Sequence, residues 1–324
     1  MKITILGAGA YGLALAHIIN KNNHDITIWT KFTKEQEELE TKRTNKNKLS
    51  NYKLPKNIKI TTNLEESIKN KDLILIAIPT NALEETIKSI KNINKKTHIC
   101  LATKGIQQKT NKLPDNILKK YIHNKKYGII SGGSFAVDII NDSPIGLTLA
   151  TKNKETEKII TKALQTNNTK IRTTKDIKGT EICGSIKNIL AIASGILHGM
   201  NMPESTIAMF LTEALNDIQE LIYQLNGNKK TILSYAGFAD IYLTCTSNKS
   251  RNFNLGKMIG QNKSKEEINN YIENTTIEGL YTLKSIYDLT KNKKIKIPII
   301  NMIYNIIYKN KDPKELINFL ITKK

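Results

Sequence analysis

Residues 3–30 run through an apolar stretch, a glycine cluster, a helix-like stretch and a second apolar stretch, an order that leaves few folds open. Ile3-Thr4-Ile5-Leu6 leads straight into Gly7-Ala8-Gly9-Ala10-Tyr11-Gly12. Leu13 to Ile19 follows with helical character, and Ile26-Thr27-Ile28-Trp29 reads as a second strand. This is G-x-G-x-x-G between a strand and a helix inside a β-α-β unit, where each glycine has a physical task. Gly7 turns the chain out of the strand, Gly9 lets backbone N–H groups approach a pyrophosphate, and Gly12 lets the helix pack closely on the sheet. The helix N-terminus adds positive partial charge, with Ala10 and Tyr11 at the same turn. The unit is therefore read as a dinucleotide-binding motif.

Through about residue 175 the chain keeps alternating strand-like and helix-like segments. Strands are expected at Asp72–Ile78, Thr97–Ala102, Tyr127–Ser131, Ile145–Ala150 and Thr169–Arg172, in a mostly parallel sheet with helices on both faces. A Lys/Asn-rich stretch, Lys34 to Asn57, carries little core signal. From Gly179 the period changes to that of helices: Gly179–Met200, Ser205–Asn226, Lys265–Ile272, Glu278–Lys291, Pro298–Tyr308 and Lys314–Ile321. The expected fold is an α/β Rossmann-like doubly wound sheet (residues 1–178) followed by an all-helical C-terminal domain (residues 179–324), with the active site in the cleft between them.

Composition narrows the function classes. The net charge of +21 invites a nucleic-acid reading, but Arg43, Arg172 and Arg251 are the only arginines among 50 basic residues, and the lysines are scattered. Proteins that read phosphates and bases tend to concentrate arginine, whose planar fork suits bidentate contacts. No nucleic-acid partner is expected. Cys100, Cys183 and Cys245 are odd in number and far apart, without metal-ligand spacing, and the five histidines pair with no nucleophile. No metal and no disulfide framework are implied, and a reducing cytoplasm is expected. Neither a secretory leader nor an apolar run of membrane-spanning length is visible.

Further clusters lie at strand and helix ends. They are Thr103-Lys104-Gly105, Ser131-Gly132-Gly133-Ser134-Phe135-Ala136, Glu181-Ile182-Cys183-Gly184-Ser185-Ile186-Lys187-Asn188, and Gly237 to Ser247 leading into Ser250-Arg251-Asn252. With the opening motif, and with the later Ile277-Glu278-Gly279 and Lys296-Ile297-Pro298-Ile299, they resemble the bacterial-type NAD(P)-dependent glycerol-3-phosphate dehydrogenases. The likeness runs in order along nearly the whole chain. It implies interconversion of dihydroxyacetone phosphate and sn-glycerol 3-phosphate by hydride transfer, supply of glycerol phosphate for phospholipid synthesis, and a homodimer.

The resemblance also implies roles. Lys187 takes and returns the hydroxyl proton; a lysine desolvated near other cations can do so near neutral pH. Arg251 and Asn252, with Ser250 beside them, hold the substrate phosphate, a task suited to a fork-shaped donor, and Arg251 borders the cofactor. Lys104 and Asp240 belong to the substrate site, Asp240 as orienter of Lys187 or acceptor of a substrate hydroxyl. Gly132, Ser134 and Ala136 line the cleft, Lys104 also faces the cofactor, and Glu278 is a cofactor-side candidate or a helix N-terminal charge.

The end of the second strand bears on the cofactor. NAD-specific folds place an acid about 20 residues beyond the glycines for the ribose 2′-hydroxyl. Here Trp29-Thr30-Lys31-Phe32-Thr33-Lys34 has no acid before Glu35, and Lys31 suits a 2′-phosphate. NADPH is favoured, with NADH the alternative. The chain departs from the family pattern at Gly133 (usually proline), at Tyr11 (usually Trp), at Ser205, and at Thr212-Glu213-Ala214, where Thr-Arg-Gly is usual. Glu213 reverses a charge either near the substrate or in a helix contact. The rival readings are a dehydrogenase of another hydroxy acid, an idle nucleotide-binding relative, and a basic nucleic-acid binder.

Overall fold

The computed structural model describes residues 1–108 and 110–323. They divide into two compact units, one of Met1–Lys104 with Pro114–Ile177 and one of Gly105–Leu113 with Lys178–Lys324. The first unit carries an eight-stranded sheet: β1 (Lys2–Leu6), β2 (Asp25–Trp29), β3 (Lys59–Thr61), β4 (Leu73–Ile76), β5 (His98–Leu101), β6 (Tyr127–Ser131), β7 (Ile145–Ala150) and β8 (Thr169–Thr174). The strand order is β3-β2-β1-β4-β5-β6-β7-β8. Every pairing is parallel except β6 with β7. The order reverses between β1 and β4, a switch point of the kind at which open α/β sheets bind ligands.

The helices of this unit are α1 (Ala10–Lys21), α2 (Thr33–Thr41), α3 (Lys46–Leu49), α4 (Leu64–Ile68), α5 (Thr80–Ser89), α6 (Pro114–Tyr121), α7 (Ala136–Ile140) and α8 (Lys154–Leu164). They cover both faces of the sheet. Along β4, Leu73 and Leu75 pack into one apolar layer with Ile3, Ile5 and Leu15. Ile74 and Ile76 pack into the other with Leu83, Ile87 and Ile117. Burial on both faces is why the strand is apolar at every position rather than at alternate ones.

Two features of this unit escape the sequence reading. Strand β3 is short, polar at both ends and anchored by Ile60, so its period is too brief to register. The Lys34–Asn57 stretch carries α2 and α3, and Leu39, Leu49, Tyr52 and Leu54 are all buried in the core. Arg43 holds the stretch closed: its guanidinium donates to the backbone oxygens of Leu54 (3.3 Å), Pro55 and Ile58 (2.9 Å). One of the chain's few arginines thus serves backbone carbonyls, which a five-donor fork can satisfy together.

The second unit is helical: α9 (Ile177–Gly199), α10 (Glu204–Gln224), a 3₁₀ turn (Lys229–Leu233), a π-helical turn (Tyr235–Ala239), α11 (Asp240–Cys245), α12 (Arg251–Gly260), α13 (Lys265–Asn274), α14 (Glu278–Asn292), α15 (Pro298–Lys309) and α16 (Glu315–Thr322). Helices α9 and α12 cross with their backbones in contact. A Cβ on Gly195 would stand 2.1 Å from the Phe253 oxygen, one on Gly256 1.9 Å from the Ile192 oxygen, and one on Gly260 2.1 Å from the Ile196 oxygen. Only glycine permits that approach at each contact.

By length and composition α9 meets the requirement for crossing a bilayer, which the search for a continuous apolar run missed. Its most apolar stretch is 89% buried in the protein, as befits a core helix.

Candidate active site

The glycine turn after β1 forms as its spacing predicts. Gly7 sits at φ +117°, a region unfavourable to other residues, and donates its N–H to the Trp29 oxygen at 2.8 Å. A Cβ on Gly12 would lie 2.1 Å from the Gly7 oxygen, so that glycine is required by packing within the turn. Gly9 differs from both: a Cβ there meets nothing within 4 Å, and its backbone is in an ordinary extended conformation. Nothing in the protein itself explains glycine at that position. Open space at the start of α1, where Ala10 and Tyr11 begin the helix, fits a ligand's close approach.

Lys104, Tyr11 and Gly132 come together at the ends of their elements. The Lys104 ammonium donates to the Gly132 oxygen at 3.3 Å and stands 5.5 Å from the centre of the Tyr11 ring. Gly132 follows β6 and lies against β7, where a Cβ would press to 2.5 Å from the Gly146 oxygen. Two residues on, the Ser134 hydroxyl is buried without a hydrogen-bond partner among the described residues, and Ala136 opens α7. A buried hydroxyl that lacks a partner is costly unless something completes it, which a bound polar ligand would do. Lys31 lies past the end of β2, exposed, and forms a 2.8 Å ion pair with Glu85, also exposed. The partner was not visible in the sequence, since α5 supplies it from 54 residues away.

In the helical unit the expected residues converge on the first half of α9. Lys187 forms a 2.6 Å ion pair with Asp240, whose side chain is 1% exposed against 15% for the lysine. Asp240 begins α11 rather than lying in a loop. The preceding π-helical turn contains Gly237, where a Cβ would approach within 2.2 Å of the Ile232 oxygen. The ammonium faces a carboxylate, the orienting role that the resemblance implies for Asp240.

Asn188, next on α9, was overlooked as a site residue although it stood in the quoted motif. It donates from Nδ2 to Glu278 Oε2 at 3.1 Å, which joins the start of α14 to the Lys187 turn. Glu278 is therefore both a first-turn helix charge and a partner of that turn. The Gly279 N–H donates to Asn252 Oδ1 at 2.9 Å, leaving Asn252 Nδ2 as the remaining donor. Ser250 caps α12, accepting from the Phe253 N–H at 3.2 Å, so its hydroxyl already has a structural task. Arg251, the first residue of α12, is exposed, and its guanidinium makes no hydrogen bond or ion pair among the described residues. A free fork beside helix N–H groups is suited to a phosphate.

Two family models together match most of the chain. The model of the NAD-dependent glycerol-3-phosphate dehydrogenase N-terminus matches residues 2–157, and that of the C-terminus matches residues 176–318. The chain belongs to this family. A glycerol-3-phosphate dehydrogenase [NAD(P)+] of Fusobacterium nucleatum is 33% identical over 326 residues, covering 100% of this chain and 97% of that protein. One from Thermoanaerobacter is 35% identical over 324 residues, with coverage of 100% and 97%. The crystal structure of glycerol-3-phosphate dehydrogenase from Coxiella burnetii superimposes with a TM-score of 0.92 at 30% identity, covering 99% of each chain.

The departure from the family pattern on α10 can now be placed. Glu213 lies 2.9 Å from Lys323, which also contacts Asp217 at 2.6 Å. Asp217 in turn accepts from the Ile299 N–H at the start of α15, at 2.9 Å. The reversed charge at Glu213 is a helix contact, neutralised by a lysine just past the end of α16. Ala214, where glycine is usual, is fully buried on α10.

Proposed function

We propose that this protein is an NAD(P)-dependent sn-glycerol-3-phosphate dehydrogenase of the cytoplasm, acting with NADPH or NADH and supplying glycerol phosphate for phospholipid synthesis. The observation that carries the reading is the Lys187–Asp240 pair, beside Asn188, which ties the same turn of α9 to Glu278 at the start of α14, in a chain that belongs to this family. The sheet unit, Met1–Lys104 with Pro114–Ile177, is assigned to the dinucleotide. Gly7, Gly9, Ala10, Tyr11 and Gly12 take the pyrophosphate, while Lys104, Ala136 and the unpartnered hydroxyl of Ser134 complete the setting. When bound, the nicotinamide dinucleotide supplies or accepts the hydride.

The helical unit, Gly105–Leu113 with Lys178–Lys324, is assigned to the substrate. Lys187 Nζ holds the proton of the C2 hydroxyl, and Asp240 fixes the ammonium's position by accepting from it at 2.6 Å. Arg251 and Asn252 Nδ2 anchor the phosphate, with Ser250 holding the start of α12. Gly132 and Lys104 are also assigned to the substrate, and Glu278 to the cofactor. Binding energy from the non-reacting phosphate positions C2 for transfer. Free, buried cysteines accord with a reducing compartment.

The test is oxidation of NADPH or NADH by the purified chain with dihydroxyacetone phosphate, beside dihydroxyacetone. Turnover should require the phosphate and vanish in Lys187→Ala. Nucleotide binding without turnover on either ketone would defeat the reading. Assembly as a homodimer is checked by light scattering on the same sample.

A further inference from the structure

The end of β2 holds a carboxylate that the linear order of residues hides. Thr30, the residue after β2, is 2% exposed, and its hydroxyl donates to Glu35 Oε2. The other oxygen, Oε1, accepts from Asn45 Nδ2 at 2.7 Å. Asn45 is itself 3% exposed, and the same Nδ2 lies 3.3 Å from the Ala8 oxygen inside the glycine turn. Between Thr30 and Thr33 the chain reverses, so the first turn of α2 brings Glu35 back over the strand it has just left. The carboxylate is thus tethered on one side to the end of β2 and on the other, through Asn45, to the turn after β1.

We propose that Glu35 is a specificity-determining residue for the cofactor, accepting a hydrogen bond from the 2′-hydroxyl of an unphosphorylated adenosine ribose and repelling a 2′-phosphate. The inference rests on the dinucleotide site proposed above. A carboxylate has about four lone-pair positions, so each Glu35 oxygen keeps capacity beyond its present partner. Acids that select the 2′-hydroxyl lie at the end of the second strand in folds of this kind. Here the acid arrives in space rather than in sequence.

The surrounding charges point the same way. Lys31, which favours a 2′-phosphate when read alone, is paired with Glu85 at 2.8 Å. Lys34 is exposed on α2, directly before Glu35. Two lysines and two glutamates leave no net positive charge at this strand end. An oxyanion added beside Glu35 would meet like charge, which costs affinity as directly as a missing contact does.

The experiment measures dissociation constants of the full-length chain for adenosine 5′-monophosphate and adenosine 2′,5′-bisphosphate, which differ only by the 2′-phosphate. Wild type should bind the monophosphate at least as tightly. Glu35→Gln, which keeps the side chain's shape and its contact with Thr30, should shift the affinity ratio about tenfold or more toward the bisphosphate. Thr30→Val, which removes one tether, should shift it the same way by less, and decides the matter if the glutamine variant does not fold. An unchanged ratio in folded Glu35→Gln, or strong wild-type preference for the bisphosphate, would overturn the proposal. Failure of wild type to bind either nucleotide would instead defeat the dinucleotide site, and this inference with it.

Discussion

Replacing Lys187 by methionine keeps the aliphatic stem and removes the charge that Asp240 faces. With Asp240 1% exposed and its partner 15% exposed, the pair is buried. Removing one partner breaks a buried ion pair, a cost of about 3–5 kcal/mol. Asp240→Asn should be destabilising for the mirror-image reason. In the double variant neither charge remains, and the shortfall from additivity should be about 1–3 kcal/mol, as for contacting residues. Turnover should behave differently. Loss of a positioned proton carrier typically costs about 10²–10⁴-fold, and the double variant should not regain it. The assay is urea unfolding followed by far-ultraviolet circular dichroism, with kcat measured on the same preparations. Trp29, the chain's one tryptophan, lies in β2 and separately reports the sheet unit. Single variants within about 1 kcal/mol of wild type, or a double variant equal to the sum of the singles, would refute the buried-pair reasoning.

Other outcomes follow from the same geometry. Gly9→Ala should fold as wild type, because its Cβ enters open space, yet lose nucleotide affinity; Gly12→Ala should lose stability, because its Cβ meets the Gly7 oxygen at 2.1 Å. Thermal melts with and without NADPH or NADH separate the two, and a Gly9→Ala variant that binds normally would contradict the ligand reading of that space. Lys323→Met should destabilise the helical unit by about 3–5 kcal/mol, since it strands the mostly buried Asp217 beside Glu213; a further Glu213→Gln should restore part of the loss in chemical denaturation. Burial holds His98 and His24 neutral below the ordinary value of 6.5. The unfolded chain therefore binds protons first on acidification, so these groups reduce stability as pH falls from 6.5 through their folded values and are neutral in effect above it. His98→Asn should flatten that acid slope in pH-dependent unfolding, and an unchanged slope would count against it.

Much of this architecture is legible in the chain because it rests on short-range periods. The strand before Gly7 and most of the helical runs after Gly179 show in apolar spacing alone, since they bury one or both faces along their own length. Strand β3 and the π-helical turn before Asp240 do not show. The first is too short to display a period, and the second depends on Gly237 meeting the Ile232 oxygen at close range.

Residue chemistry divides in the same way. A motif can nominate Lys187, Arg251 or the glycines, because local order places them at helix starts and strand ends. It could nominate Asp240 as orienter of Lys187 without fixing the contact, and it could not supply Glu85 as the partner of Lys31 or Lys323 as the neutraliser of Glu213. Those partners lie 53, 54 and 110 residues away along the chain. Electrostatic character depends on distance through space, which packing decides. The sequence by itself determined the two-part fold and the residues placed for chemistry; only tertiary structure decided which charges they face.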